Sequence, residues 1–246
     1  MSSITYYILS ALAVLIILTI HEYSHGFVAY KLGDSTAKRL GRLTLNPIKH
    51  IDPFGALCML LFHFGWAKPV PIDPRNFKKP KRDFALVALA GPLSNLIMAF
   101  LFAALYISLN ILYIKAQLPN GFLRTLFYNT VLFVYIFHVI NIGLGIFNLI
   151  PVPPLDGSRI LNAVLPTKIY FGVMRYERQI YFGLIAWLFL GTYVSRALLS
   201  IPFVSANPIL TFVAELFSLS DILGRLITLI SRAMIDFWQL IPFFNL

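Results

Sequence analysis

The sequence has few charged residues and almost no cysteine. Only 12% of its 246 residues are Asp, Glu, Lys or Arg, against roughly 25% in an ordinary soluble domain. The single cysteine, Cys58, excludes an intrachain disulfide. A chain this poor in charge and 59% hydrophobic has the composition of a multi-pass membrane protein. Its net charge of +10 therefore does not indicate a nucleic-acid partner, because the basic residues lie in loops beside apolar segments.

Four segments are long and apolar enough to cross about 30 Å of hydrocarbon: about residues 4–27, 84–113, 126–150 and 179–200. A fifth apolar stretch, 54–66, is too short for a helical crossing, and we expect it to be re-entrant. No Lys or Arg precedes Lys31, so we expect the first span to be retained rather than removed as a signal peptide. The pattern predicts an all-α polytopic membrane protein, a bundle of about four to six transmembrane helices.

The distribution of Lys and Arg orients these spans. Eleven of the 20 basic residues lie within 31–82 and four more within 159–178, whereas the 114–125 loop carries only Lys115 and Arg124. The positive-inside rule places both basic loops in the cytoplasm and the N-terminus outside. We therefore expect a protein of the cytoplasmic (inner) membrane whose first span ends at the cytoplasmic face.

Two regions do not resemble simple spans. Residues 31–82 are interrupted by Gly and Pro, and residues 42–45 alternate in the manner of a strand, so we expect a short membrane-associated β or re-entrant segment there. We divide the chain into a core over 1–200 and hydrophobic or amphipathic helices over 201–246. Within the latter, one helical face collects the polar residues Asp221, Arg225, Arg232, Asp236 and Gln239.

That C-terminal helix has two interpretations. It could lie in the membrane interface as an amphipathic helix. It could instead be a fifth span whose polar stripe faces the bundle or an oligomer partner. The pattern favours the interfacial helix, with the fifth span as the alternative, and the sequence leaves the oligomeric state open.

The first span contains a polar motif, His21-Glu22-Tyr23-Ser24-His25. On a helix, HExxH places two imidazoles on one face at a spacing that suits one zinc ion, with a glutamate able to act on a metal-bound water. An ionisable group at the centre of a membrane helix costs roughly 2.5–3.5 kcal/mol on insertion scales. The motif therefore indicates water-dependent metal chemistry inside a membrane.

A zinc site of this kind needs a third protein ligand. A metzincin pattern would place Gly at 28 and His at 31, but the chain has Val28 and Lys31. A gluzincin would use a downstream Glu, and the next one is Glu177, in a basic loop. The third candidate is Asp156, which follows three prolines that end a helix at membrane depth. The span count returns Asp156 to the same face as His25, provided that residues 54–66 do not cross.

Three motifs together resemble a known family. HEYSH in the first span, GPLSN at 91–95 and NLIPVPPLDG at 148–157 resemble the signatures of the site-2 protease family of intramembrane zinc metalloproteases, in particular its compact prokaryotic branch without a PDZ domain. The resemblance covers about residues 20–160. It implies one Zn²⁺ per chain and the following site residues: metal ligands His21, His25 and Asp156, catalytic carboxylate Glu22, and nearby polar residues Asn95 and Asn148.

The resemblance also implies an activity. It predicts hydrolysis of peptide bonds in transmembrane proteins or peptides near the cytoplasmic face, with Glu22 as general base. Two alternatives remain: a non-catalytic membrane scaffold that retains the fold, and a membrane zinc hydrolase of a non-peptide substrate. His138 lies ten residues before Asn148, about 15 Å along a helix, and is therefore expected to be a hydrogen-bonded residue of the bundle rather than a ligand.

Overall fold

In a computed structural model, the protein is a bundle of α-helices. The structure describes residues 3–55, 58 and 66–244. Its helices are α1 (Ser3–Lys31), α2 (Thr36–Arg39), α3 (Pro80–Ala116), α4 (Phe122–Leu149), α5 (Asp156–Leu161), α6 (Thr167–Met174), α7 (Glu177–Leu199), α8 (Pro202–Ser205), α9 (Pro208–Leu216) and α10 (Leu219–Gln239). Short 3₁₀ turns occupy Pro47–Lys49, Pro74–Asn76 and Pro242–Phe244.

Four of these helices, α1, α3, α4 and α7, are long and apolar enough to cross a membrane. They coincide with the four predicted spans, and the all-α polytopic fold is confirmed. Local sequence sets their ends: α1 stops just before Gly33, whose φ of +111° suits glycine, and α3 begins at Pro80, where the missing N–H costs nothing.

The core lies where α1, α3 and α4 meet, and small residues allow the close approach. Ala13 and Ile17 of α1 pack against Ile136 and Phe137 of α4. On α3, Ala99 is fully buried. In a lipid environment close helix approach depends on such small residues rather than on hydrophobic exclusion from water.

The strand expected from the alternation at 42–45 does not form among the described residues. α2 ends before it, Gly41 turns the chain with a φ of +64°, and Asn46 caps the 3₁₀ turn that follows. One antiparallel bridge, between Ile51 and Ala67, is the only strand-like pairing in the described part of this region. Local turns satisfy the backbone in place of a partner strand. Most of the predicted re-entrant segment 54–66 lies outside the described residues.

An extended segment, residues 67–73, crosses the C-terminal end of α1; we call it the strap. The N–H of Lys68 donates to the His50 carbonyl at 2.8 Å, and Arg42 donates to the Lys68 carbonyl at 2.7 Å. At the other end, the N–H of Asp73 donates to Asp34 Oδ2 at 2.8 Å. These bonds fix the strap at both ends against the turns that follow α1.

Helix α10 packs lengthwise against α4 and runs antiparallel to it. Ile227 lies against Gly143, and further along Ser231 hydrogen-bonds to His138 at 2.8 Å. Trp238 Nε1 then donates to the Phe100 carbonyl of α3 at 2.8 Å. The helix thus lies along a predicted span, although it is not itself one of the four helices that are long and apolar enough to cross a membrane. His138 is the hydrogen-bonded bundle residue that was expected.

Candidate metal centre

The two histidines of HExxH face the same point inside the bundle. His21 and His25 lie one turn apart on α1, and both are buried. Their Nε2 atoms are 3.0 Å apart, and the rings meet edge to face with centroids 4.6 Å apart. Two imidazole nitrogens that converge in this way present their lone pairs to a common centre.

Asp156 completes a triangle with these nitrogens. Its Oδ2 lies 3.2 Å from Nε2 of His21 and 3.2 Å from Nε2 of His25. The carboxylate stands at the first residue of α5, immediately after the proline turn. There, a Cβ on Gly157 would lie 2.6 Å from the Leu149 carbonyl carbon, so only glycine lets this turn fold back onto α4.

The geometry fits a zinc ion. Ligands about 2.0–2.1 Å from a tetrahedral zinc lie roughly 3.3 Å from one another, close to the 3.0–3.2 Å edges of this triangle. Among the described residues, no other group of three or more His, Cys, Asp or Glu side chains converges in this way. Asp156 Oδ2 is buried and accepts no hydrogen bond in the described structure. A buried carboxylate oxygen of this kind is available to bind a metal.

Helix α3 supports and shapes this centre. His25 Nδ1 donates to the Val87 carbonyl at 2.7 Å, which fixes the ring and leaves Nε2 free as a ligand. Gly91 faces both rings, and a Cβ placed there would lie 2.6 Å from Cε1 of His21 and of His25. The glycine of the GPLSN motif therefore provides the space that the imidazoles occupy.

Glu22 lies beside the centre and is held by the strap. Its Oε2 accepts a hydrogen bond from the Val70 N–H at 2.7 Å. The Val70 side chain is buried, and its Cγ1 would lie 3.1 Å from a Cβ on Gly26, so the strap sits directly on α1. One carboxylate oxygen of Glu22 is thereby anchored.

The two asparagines differ in their surroundings. Asn95 is fully buried one turn beyond Gly91, and its Nδ2 has no hydrogen-bond partner in the described part of the chain. Asn148 donates from Nδ2 to the Leu144 carbonyl of its own helix at 3.1 Å. No described hydrogen bond joins either amide to the ligand triangle. Asn95 therefore has free donor capacity near the site, whereas the Asn148 donor is occupied locally.

Val70 and Val87 are the contacts that the sequence does not reveal. Both act through the backbone, by an N–H and a carbonyl, so their side chains carry no signal of a role. A run of alternating prolines, which leaves few N–H groups available, is the one indirect feature that singles out the 68–74 segment.

Comparison with known proteins agrees with this centre. The model of peptidase family M50 matches residues 9–190. YwhC of Bacillus subtilis (strain 168), a zinc metalloprotease by name, is 41% identical over 206 residues, which cover 79% of this chain and 89% of that protein. Zinc metalloprotease MJ0392 of Methanocaldococcus jannaschii is 28% identical over 151 residues, 61% of this chain and 32% of its own length. No solved structure matches. The chain belongs to peptidase family M50, the site-2 protease family, and is a zinc metalloprotease of the membrane.

Proposed function

We propose that His21, His25 and Asp156 hold the zinc ion and that the enzyme cleaves peptide bonds within transmembrane segments. The observation that carries this proposal is the triangle of ligand atoms, with edges of 3.0, 3.2 and 3.2 Å, contributed by two separate helices. Three protein ligands leave one position open, as catalytic zinc sites require. The bound ion supplies Lewis acidity, which polarises a carbonyl and makes water more acidic.

Glu22 acts as the general base in this proposal. Val70 anchors one of its oxygens, and the other takes the proton of the attacking water and returns it to the leaving amine. Asn95, buried with an unpartnered amide one turn beyond Gly91, can donate to a substrate carbonyl. Asn148, whose donor is occupied by Leu144, retains only its oxygen for such a role.

The charge distribution supports a reaction near the cytoplasmic face. Eleven basic residues follow the first span, within 31–82, so the N-terminus lies outside and His25, six residues from the end of α1, is close to the cytoplasmic side. We place the protein in the cytoplasmic membrane on this ground, with the protease core over 1–200 and the helices of 201–246 attached to it.

A reconstituted cleavage assay tests the proposal. Purified enzyme in liposomes is given a single-span substrate with distinct tags at its two ends, and zinc is measured in the same samples. Wild type should contain about one zinc per chain and produce two membrane-derived fragments. Glu22→Gln should retain zinc and lose cleavage, whereas Asp156→Ala should lose both.

Each other outcome has a definite meaning. If Asp156→Ala keeps its full zinc content, the third ligand has been wrongly assigned. If Glu22→Gln cleaves normally, the general base lies elsewhere. If wild type binds zinc but hydrolyses a lipid ester instead of the peptide, the non-peptide alternative is correct.

A further inference from the structure

Helix α10 carries charged side chains at membrane depth with nothing against them. Arg232 follows Ser231, which bonds to His138 near the middle of α4. His138 lies 11 residues from the end of α4 at Leu149, about 16 Å along the helix. Arg232 and Asp236 are both exposed, so two opposite charges point away from the bundle where lipid chains would surround it.

These two charges do not neutralise each other or any neighbour. Neither side chain forms an ion pair or a hydrogen bond with another residue in the described ranges, although they are one turn apart. An uncovered Arg at the centre of a membrane helix costs roughly 2.5–3.5 kcal/mol, and such residues normally face protein or water. The exposed face therefore needs a partner that reaches this depth.

The same face continues towards the cytoplasmic end of α10. Arg225 and Asp221 lie on it about two and three turns before Arg232. Both are exposed, and Arg225 is paired to Glu215 at 2.8 Å. Between Asp221 and Arg225, Gly224 has no atom within 4 Å of a Cβ placed on it. The face thus reads acidic, basic, basic, acidic, with a small residue that permits close contact.

We propose that this face, defined by Asp221, Arg225, Arg232 and Asp236, binds a second copy of the chain. Two copies in one membrane are related by an axis along the membrane normal, so their α10 helices run parallel. In that arrangement Arg232 of one copy lies within one helical turn, about 6 Å, of Asp236 of the other, and the reverse. Asp221 lies on the same face three turns below, whereas Arg225 is already paired to Glu215 within its own chain.

Charge balance favours a second copy over other occupants. The two charges at this depth that have no partner, Arg232 and Asp236, are opposite in sign, so neither an anionic lipid headgroup nor a partner of single sign satisfies both. Headgroups also remain at the surface, whereas Arg232 lies level with His138. A copy of the same helix offers both signs at the matching depth, and each copy satisfies the other.

Cysteine cross-linking tests the proximity of the two helices. Leu229, 65% exposed between the charged pairs, is replaced by Cys in a Cys58→Ser background, and the protein is oxidised in native membranes and in liposomes of the purified chain. Leu101→Cys on α3, 51% exposed on another face, is the matched control. A disulfide dimer at 229 in both settings, and none at 101, is expected. Equal cross-linking at the two positions would overturn the proposal, as would a 229 product found only with a different protein.

Charge exchange between two tagged copies tests the pairing itself. Arg232→Asp or Asp236→Arg alone places like charges together and should reduce copurification of the tagged copies at least about tenfold. Coexpression of Arg232→Asp with Asp236→Arg places two acidic residues on one chain and two basic residues on the other. Opposite charges then face each other between the chains, although neither chain keeps an acidic and a basic residue at these two positions. Recovery to near the wild-type yield, with zinc content unchanged in all samples, supports the interface. No recovery from variants that still bind zinc would show that the charges act within one chain.

Discussion

The hydrogen bond from the Val70 N–H to Glu22 provides a sharp test of how the strap serves catalysis. Val70→Pro removes this donor, while the prolines at 69 and 71 already hold the segment extended. Val70→Ala is the matched control, because it trims the side chain and keeps the N–H. Both variants lose packing against Gly26, so a difference between them isolates the hydrogen bond.

The expected magnitude follows from the geometry. The 2.7 Å bond joins an amide to a carboxylate, and hydrogen bonds to charged groups contribute about 1.5–3 kcal/mol. If this energy holds Glu22 in its reactive position, its loss lowers kcat by about 13- to 160-fold. KM and zinc content should change little, because the ligand triangle does not use this bond.

Cleavage of the single-span substrate in liposomes measures the effect. Initial rates at several substrate densities separate kcat from KM, and zinc analysis with a thermal melt confirms that each variant is folded. We expect a low kcat for Val70→Pro and a kcat near wild type for Val70→Ala. A folded, zinc-loaded Val70→Pro with wild-type kcat would refute the positioning role. A kcat above wild type would mean that the strap restrains Glu22 instead.

Three further predictions concern the metal centre and its surroundings. Gly91→Ala should lower zinc content sharply, because the new Cβ meets both imidazoles; Gly183→Ala, with open space around it, should leave zinc unchanged. Burial raises the pKa of Asp34, but hydrogen bonds from its neighbours hold it below its usual range, so its stabilising effect is present at neutral pH and is lost as the pH falls through the lowered pKa. The Tm gap between wild type and Asp34→Asn should therefore close below about pH 4, and a constant gap would contradict this. Removal of zinc with a chelator should abolish cleavage and lower the Tm, and added zinc should restore both; a chelated enzyme with unchanged Tm would show that the site contributes nothing to folding.

The membrane helices were predictable because their signal is local. Each long span is an apolar run whose length matches the hydrocarbon thickness, and each forms its backbone hydrogen bonds internally. The confirmed helices α1, α3, α4 and α7 needed no knowledge of their neighbours. The strand expected from the alternation at 42–45 was wrong because a strand requires a partner, and alternation alone does not supply one. Gly41 and Asn46 form turns there instead.

The sequence by itself determined the chemistry that the chain carries. Residue types and their spacing are enough to identify HExxH, the proline turn before Asp156 and the charge bias of the loops. Together these features indicate a zinc hydrolase in a membrane. Only the tertiary structure decided how that chemistry is assembled. The 3.2 Å approach of Asp156 to both imidazoles joins residues more than 130 positions apart. Val70 donates a hydrogen bond to Glu22 from its backbone N–H, a group that every residue except proline possesses. The outward face of α10 exists only because its other side packs on α4. The type of a residue determines which chemistry its side chain can perform. Which groups that side chain contacts depends on distance and burial, and both depend on the whole fold.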